Sequence, residues 1–244
     1  MNVLVLYDIH GNVDALEAVL ADPRAAGPDA VVVGGDTVPG PFARAVLDRL
    51  DVLTVPIHHI RGNGERETVA AVETTTPPAG DDLAMVTAAM SAAELGADRG
   101  RALGDLPLTV TLDGVLYCHA TPRADDEMVT RVSTPERYAE VLAGVDAPLV
   151  VAGHTHQQDD RMVGAVRFIN AGSVGLPYEG DGAARWLWVA DGVPELRRTA
   201  YDAVAAGSRM LAAGWPDERS VRGGLIDPVK PTVVTELFEQ LARG

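Results

Sequence analysis

Four of the six histidines, His10, His119, His154 and His156, stand just past the end of a short apolar run, where the chain is about to turn. Asp8, Asp36 and Asn63 stand in the same kind of place. Glycine-rich sequence surrounds most of them: Asp8-Ile9-His10-Gly11-Asn12, Gly34-Gly35-Asp36, Arg61-Gly62-Asn63-Gly64 and Gly153-His154-Thr155-His156. Glycine permits tight backbone turns, so short side chains can be aimed at one shared centre. His154 and His156 are two residues apart, and in extended chain such residues face the same side. Taken singly, Asp-x-His can be a helix-capping aspartate beside a surface histidine, and Gly-Asp or Gly-Asn can be a turn. Together, two carboxylates, one amide and four imidazoles make a mixed oxygen and nitrogen donor set. It is large enough for two divalent ions about 3.5–4 Å apart that share one carboxylate. A water between two such ions ionises near neutral pH, and the hydroxide attacks phosphorus in line while the ions offset charge on the phosphoryl oxygens.

The elements that must position these residues alternate in the first half of the chain. Val3–Tyr7 and Ala30–Val33 read as buried strands, and Val52–Ile60 as a third. Asn12 can cap a helix running to about Asp22, and Pro41 marks the start of another near Phe42–Leu50. Wholly apolar strands separated by amphipathic helices indicate a largely parallel sheet covered on both faces. The stretch 65–106 is Ala-rich and helical in pattern, broken by Thr-Thr-Thr-Pro-Pro-Ala-Gly at 74–80, and reads as a helical excursion off the sheet. Hairpins follow: 108–112 with 115–118 around Asp113-Gly114, and 186–190 with 193–197 around Asp191-Gly192. Leu149–Ala152 and Val166–Ile169 are further short strands, and helices are expected at about 203–213 and 232–242. The expected class is α/β, one domain over 1–244 with a mixed sheet or two facing mixed sheets flanked by helices.

Composition narrows the partners. With 20 Lys and Arg against 35 Asp and Glu, the net charge is −15, which repels nucleic-acid backbones and argues against a polyanion-binding role. A phosphorylated substrate must therefore find its positive partners locally, in metal ions and a few arginines. Cys118 is the single cysteine, so no intramolecular disulfide and no thiolate cluster can form. It lies in the apolar run 115–118 and reads as a buried, inert thiol. No apolar run is long enough to span a bilayer, and the opening run lacks the length and basic flank of a signal peptide. The expected setting is soluble and cytoplasmic; oligomeric state is open.

The ordered set Asp8-x-His10, Gly35-Asp36, Gly62-Asn63, His119, Gly153-His154-x-His156 resembles the calcineurin-like metallophosphoesterase superfamily. The likeness is nearest to its small bacterial and archaeal phosphodiesterases. The later Asn170-Ala171-Gly172-Ser173-Val174-Gly175 resembles that group's Asn-Pro-Gly-Ser-Val loop. The resemblance implies a sandwich of two β-sheets covered by helices. It implies that Asp8, His10 and His156 hold one metal, that Asn63, His119 and His154 hold the other, and that Asp36 bridges them. Asp36 and His119 are thereby the residues nearest the chemistry. Mn²⁺ is the favoured ion, with Fe, Zn, Ni or Co compatible with the same donors. The implied activity is hydrolysis of phosphodiesters or small phosphorylated metabolites. The alternatives are a protein serine/threonine phosphatase and a non-catalytic metal-binding partner protein of the same fold.

One position departs from the superfamily pattern. A histidine often follows the asparagine of the third motif and serves the leaving oxygen, but here that residue is Gly64. The small phosphodiesterases also lack it. His58 or His59 is a candidate substitute donor, or the pair is simply packed along a strand. Arg123 lies close behind His119 and either grips a phosphate or pairs with Asp125 or Asp126 at the surface. Asn12 orients substrate at a helix start or caps that helix, and Asn63 is expected to touch both metal and substrate.

Overall fold

The computed structural model describes residues 1–74 and 82–242. Its strands are β1 (Asn2–Leu6), β2 (Ala30–Val33), β3 (Ile57–His59), β4 (Thr109–Leu112), β5 (Val115–Cys118), β6 (Leu149–Ala152), β7 (Asp159–Val163), β8 (Val166–Asn170), β9 (Ala184–Ala190) and β10 (Val193–Thr199). They form two five-stranded sheets, ordered β10-β9-β1-β2-β3 and β4-β5-β6-β8-β7. Both are mixed. β1, β2 and β3 run parallel in the first, and β5, β6 and β8 in the second, with antiparallel hairpins at the margins.

Alternation along β1 explains why its sequence is apolar throughout. Leu4 and Leu6 pack toward the helices with Leu16, Val19, Val46 and Leu50. Val3 and Val5 point the other way, into a layer shared with Tyr117, Val151 and Ile169 of the second sheet. The same division runs along β6, where Leu149 and Val151 enter that inter-sheet layer and Val150 joins Cys118, Tyr138 and Phe168 on the outer face. Both faces of each central strand are covered, so a polar residue would have nowhere to go. At the end of β1, the buried Tyr7 hydroxyl donates to Val151 O at 2.9 Å and ties the two sheets together just below the candidate site.

Nine α-helices cover the sheets among the described residues. α1 (Val13–Leu20) and α2 (Ala43–Asp51) lie in the first half, followed by α3 (Asn63–Glu73), α4 (Leu83–Leu95) and α5 (Ala97–Ala102), which make up the excursion expected at 65–106. Most of the expected break at 74–80 lies outside the described residues. α6 (Pro135–Val141) covers the second sheet, and α7 (Ala203–Ala212), α8 (Glu218–Val221) and α9 (Pro231–Leu241) close the chain.

Three local expectations change. The third strand is three residues long, not nine: α2 extends to Asp51 and Leu53 N donates back to Leu50 O, so 52–56 leads out of a helix. β7 was not expected, because Asp159, Asp160 and Arg161 mask it; it is an edge strand, where charged side chains discourage further pairing. α6 was also not expected, although Thr134 caps it by accepting from Arg137 N and Pro135 occupies its first turn. Both hairpin turns form as expected, with Asp113-Gly114 at φ +52° and +79° and Asp191-Gly192 at +49° and +77°.

Candidate metal centre

Seven non-glycine residues have left-handed backbone among the described residues; two are the hairpin aspartates, and the other five are Asp8, His10, Asp36, His154 and His156. Such a conformation is strained for a side-chain-bearing residue and persists only where its surroundings enforce it. Hydrogen bonds between loops supply the enforcement. Asp8 N donates to Gly35 O (3.1 Å) and His10 N to Asp36 O (3.0 Å), which locks the loops after β1 and β2 side by side. The 170–175 loop grips from the opposite side: Ser173 Oγ donates to Asp8 O (2.8 Å), and Gly175 N to the same oxygen (3.0 Å). Gly175 permits this contact, because a Cβ there would stand 1.8 Å from Ile9 O.

These loops gather the ligand residues into two groups. Donor atoms of Asp8, His10 and His156 lie within 4.8 Å of one another, as do those of Asp36, His119 and His154. Asp36 joins the groups. Its Oδ1 is 3.4 Å from His119 Nε2, and its Oδ2 is 3.7 Å from His10 Nε2. Asp8 is divided in another way, accepting from His154 N through Oδ2 (3.0 Å) while Oδ1 lies 3.5 Å from His156 Nε2.

Main-chain carbonyls orient the rings. Nδ1 of His10 meets Pro39 O (3.0 Å), that of His119 meets Gly34 O (3.0 Å), and that of His156 meets Leu176 O (2.7 Å). A carbonyl only accepts, so each Nδ1 carries a proton and each Nε2 is turned to the centre. Burial opposes charge on His119, but Asp36 and Asp8 outweigh it and raise that ring to about 10, so a bound cation would take the place of its second proton. The Asn63 amide is set likewise: Nδ2 donates to Glu67 Oε1 (3.2 Å), leaving Oδ1 free.

Whether divalent ions fit is tested by the atoms left without partners. Among the described residues, eight buried side-chain polar atoms lack a hydrogen bond. Four of them are Asp8 Oδ1, Asn63 Oδ1, His119 Nε2 and His154 Nε2, all facing this centre. Buried polar atoms without partners are costly, and this group of them beside one cavity suits cations. Ionisation agrees. Burial holds His154 down to about 4, helped by the nearby His119, and holds His156 well below its usual value, helped by His10, which keeps both in the neutral, ligating form. Burial also pushes Asp8 up, and the Asp36 charge adds to the shift. Burial opposes charge on Asp36 too, but His119, His10 and His154 outweigh it and hold that carboxyl low.

The expected ligands therefore come together, but other candidates do not. Arg123 donates to Glu127 (2.9 and 2.5 Å) and Glu140 (2.7 Å) in an exposed network, which uses up its guanidinium fork away from the centre. Its partners are not Asp125 and Asp126, which pair with Arg66. Asn12 is buried and spends both amide protons, on Gly175 O (2.8 Å) and Tyr201 Oη (3.0 Å), while Oδ1 caps Ala15 N (3.1 Å). It ties α1 to the 170–175 loop and has no proton left for substrate. His58 and His59 lie half-buried on β3, and neither lines the cavity over the centre; burial lowers the pKa of His59. Gly64 has no room for a side chain, since a Cβ would stand 2.1 Å from Val38 O; its N–H instead donates to Asp36 Oδ1 at 2.8 Å. Cys118 is buried and its thiol pushed up by burial, in keeping with an inert role.

One residue that holds the site was missed. Glu65 is 1% exposed, and its carboxylate accepts from the backbone N–H groups of Asp36 (2.8 Å), Thr37 (2.8 Å), Val38 (3.4 Å) and Gly62 (2.8 Å). It staples the Asp36 loop to the start of α3. The signal was present, because a glutamate three residues after Gly62 is where a capping box places one.

Comparison with known proteins bears on the fold and the family. A metallophosphoesterase from Sphaerobacter thermophilus superposes with a TM-score of 0.73 at 24% identity, over 92% of this chain and 99% of that one. A hypothetical protein from Pyrococcus horikoshii OT3 superposes with a TM-score of 0.75 at 20% identity, over 94% and 99%. At these identities the likeness is one of fold. No curated protein matches the sequence. Residues 1–189 match the calcineurin-like phosphoesterase superfamily domain, a span that contains all seven ligand residues, and the chain belongs to that superfamily.

Proposed function

We propose that the protein is a metal-dependent phosphodiesterase that carries two divalent ions, Mn²⁺ first among them. Asp8, His10 and His156 hold one ion, Asn63, His119 and His154 the other, and Asp36 is shared. The observation that carries this reading is the division of Asp36, whose two carboxylate oxygens approach histidines of different groups at 3.4 and 3.7 Å. When bound, such ions lower the pKa of a coordinated water and neutralise charge on phosphoryl oxygens. The chain's part is orientation: carbonyl-anchored imidazoles, a stapled Asp36 and an amide whose oxygen is turned inward. Among the described residues no lysine or arginine lines the cavity over the centre, so these walls offer no fixed positive charge for a second phosphate.

An aryl or ring-strained cyclic diester is favoured over an alkyl monoester because no side chain can occupy position 64 to protonate a poor leaving group. The test is turnover of the metal-reconstituted protein on a panel of phosphodiesters, phosphomonoesters and phosphopeptides. Diesters should be the best substrates. A phosphopeptide preference would favour a protein phosphatase, and metal binding without any turnover would favour a non-catalytic partner protein.

A further inference from the structure

The match to the superfamily ends at residue 189, yet half the wall of the cavity over the metal centre comes from beyond it. The cavity measures ≈ 210 Å³. Its floor is His10, Asp36, Asn63, His154 and His156, and Met210, Trp215, Val221 and Phe238 of the C-terminal segment close it from the side. These residues are fixed by packing. Met210, Trp215, Val221 and Leu225 form a buried cluster with Leu176, whose carbonyl anchors the His156 ring. Tyr178 connects floor and wall: its ring stacks on His156 at 5.1 Å and 11°, and Phe238 meets its edge at 6.1 Å and 63°.

We propose that this segment forms a subsite for an aromatic ester group, so that the substrate is a phosphodiester bearing an aromatic ring on that side. The inference rests on the phosphodiesterase reading and specifies its substrate class. Three observations select the occupant. The wall facing the metal ligands is apolar and aromatic, which favours a flat apolar group by burial and offset stacking. Size admits it, because a dry apolar cavity of about 150 Å³ holds a single benzene ring and this one is larger. Charge excludes polyphosphates and polynucleotides: the polar wall residues are Thr87, Asp217 and Ser220, and a second phosphate would enter unpaired beside a carboxylate.

The test is calorimetric binding to the Mn²⁺-loaded protein of methyl phenylphosphonate and methyl methylphosphonate, two monoanions that differ only in the ring. Phenyl should bind at least about tenfold more tightly, and Phe238→Ala and Trp215→Ala should each remove most of that ratio. Trp215→Phe should restore it in part, and circular dichroism should confirm folding of each variant. Equal binding of the two ligands, no binding of either, or a ratio that survives both alanine substitutions in folded protein would overturn the subsite. Turnover of bis(p-nitrophenyl) phosphate, measured alongside on the same preparation, separates loss of the subsite from loss of the phosphodiesterase reading, since that reading fails only if this activated diester is not hydrolysed.

Discussion

The Nε2 atoms of His10 and His156 lie 3.2 Å apart, while the Nδ1 of each ring is held by a main-chain carbonyl. At that distance the two nitrogens need either a shared proton or a cation between them, because two bare lone pairs would repel. Burial keeps His156 neutral, and a cation within reach of both rings satisfies the pair without any proton between them. The apo protein should therefore be the less stable form. At a free Mn²⁺ concentration 100-fold above Kd, the gain is about 2.7 kcal/mol, read as a rise of several degrees in Tm over protein in EDTA. Identical melting with and without metal would count against the centre.

Glu65 should behave as a positioning residue. In Glu65→Gln, an amide NH₂ replaces one carboxylate oxygen and confronts backbone N–H groups that had an acceptor. The expected loss is about 1–3 kcal/mol in urea unfolding of the apo protein, and about 10- to 100-fold in metal affinity. A variant with wild-type stability and wild-type metal affinity would show that the Asp36 loop does not need the staple.

Proton delivery to the leaving oxygen makes a separate prediction. Gly64 cannot be replaced by a donor, and neither His58 nor His59 lines the cavity. Log kcat/KM for a series of aryl phosphodiesters should therefore fall steeply as the phenol pKa rises, because a positioned acid is worth about 10²–10⁴-fold and most for poor leaving groups. A flat series would identify a donor already in place among the cavity residues, with Ser220 and Asp217 the first to substitute.

Arg123 should be kinetically silent. Its guanidinium is committed to Glu127 and Glu140, so Arg123→Ala should leave KM and kcat within about twofold of wild type, whereas loss of a charge-assisted phosphate contact would cost about tenfold or more. The same network makes a pH prediction. Hydrogen bonds from Arg123 hold the Glu127 carboxyl down to about 2 against an ordinary value of 4.5. A depressed folded pKa stabilises fully above the unfolded value and is lost as pH falls through the folded one. Glu127→Gln should thus cost about 1 kcal/mol at pH 7, and the gap to wild type should close between pH 4.5 and 2 in urea unfolding. A gap that does not narrow over that interval would contradict the assignment.

The convergence of Asp8, His10, Asp36, His119, His154 and His156 was legible because it is written in short segments: the glycines that bend Gly34-Gly35-Asp36 and Gly153-His154-Thr155-His156 are neighbours of the side chains they aim. The central strands were legible because burial on both faces leaves them wholly apolar. What failed was whatever depends on distant partners. Nothing adjacent to Arg123 reveals that Glu127 and Glu140 engage its fork, and nothing adjacent to Asn12 reveals that Gly175 and Tyr201 take both its amide protons. Edge strand β7 was hidden because its charged residues fall on both faces: Asp159 and Arg161 meet Tyr138, while Asp160 pairs with Arg167. Nothing adjacent to Trp215 or Phe238 in sequence reveals that folding brings both to the cavity that His156 lines.

The claim on which the rest depends is that two ions share Asp36. Anomalous diffraction from Mn²⁺-loaded crystals, collected at the manganese edge, tests it most directly. The account predicts two peaks about 3.5–4 Å apart. One should be bounded by Asp8, His10 and His156, the other by Asn63, His119 and His154, with one Asp36 carboxylate between them. A single peak, or two that leave Asp36 bound to only one, would contradict it.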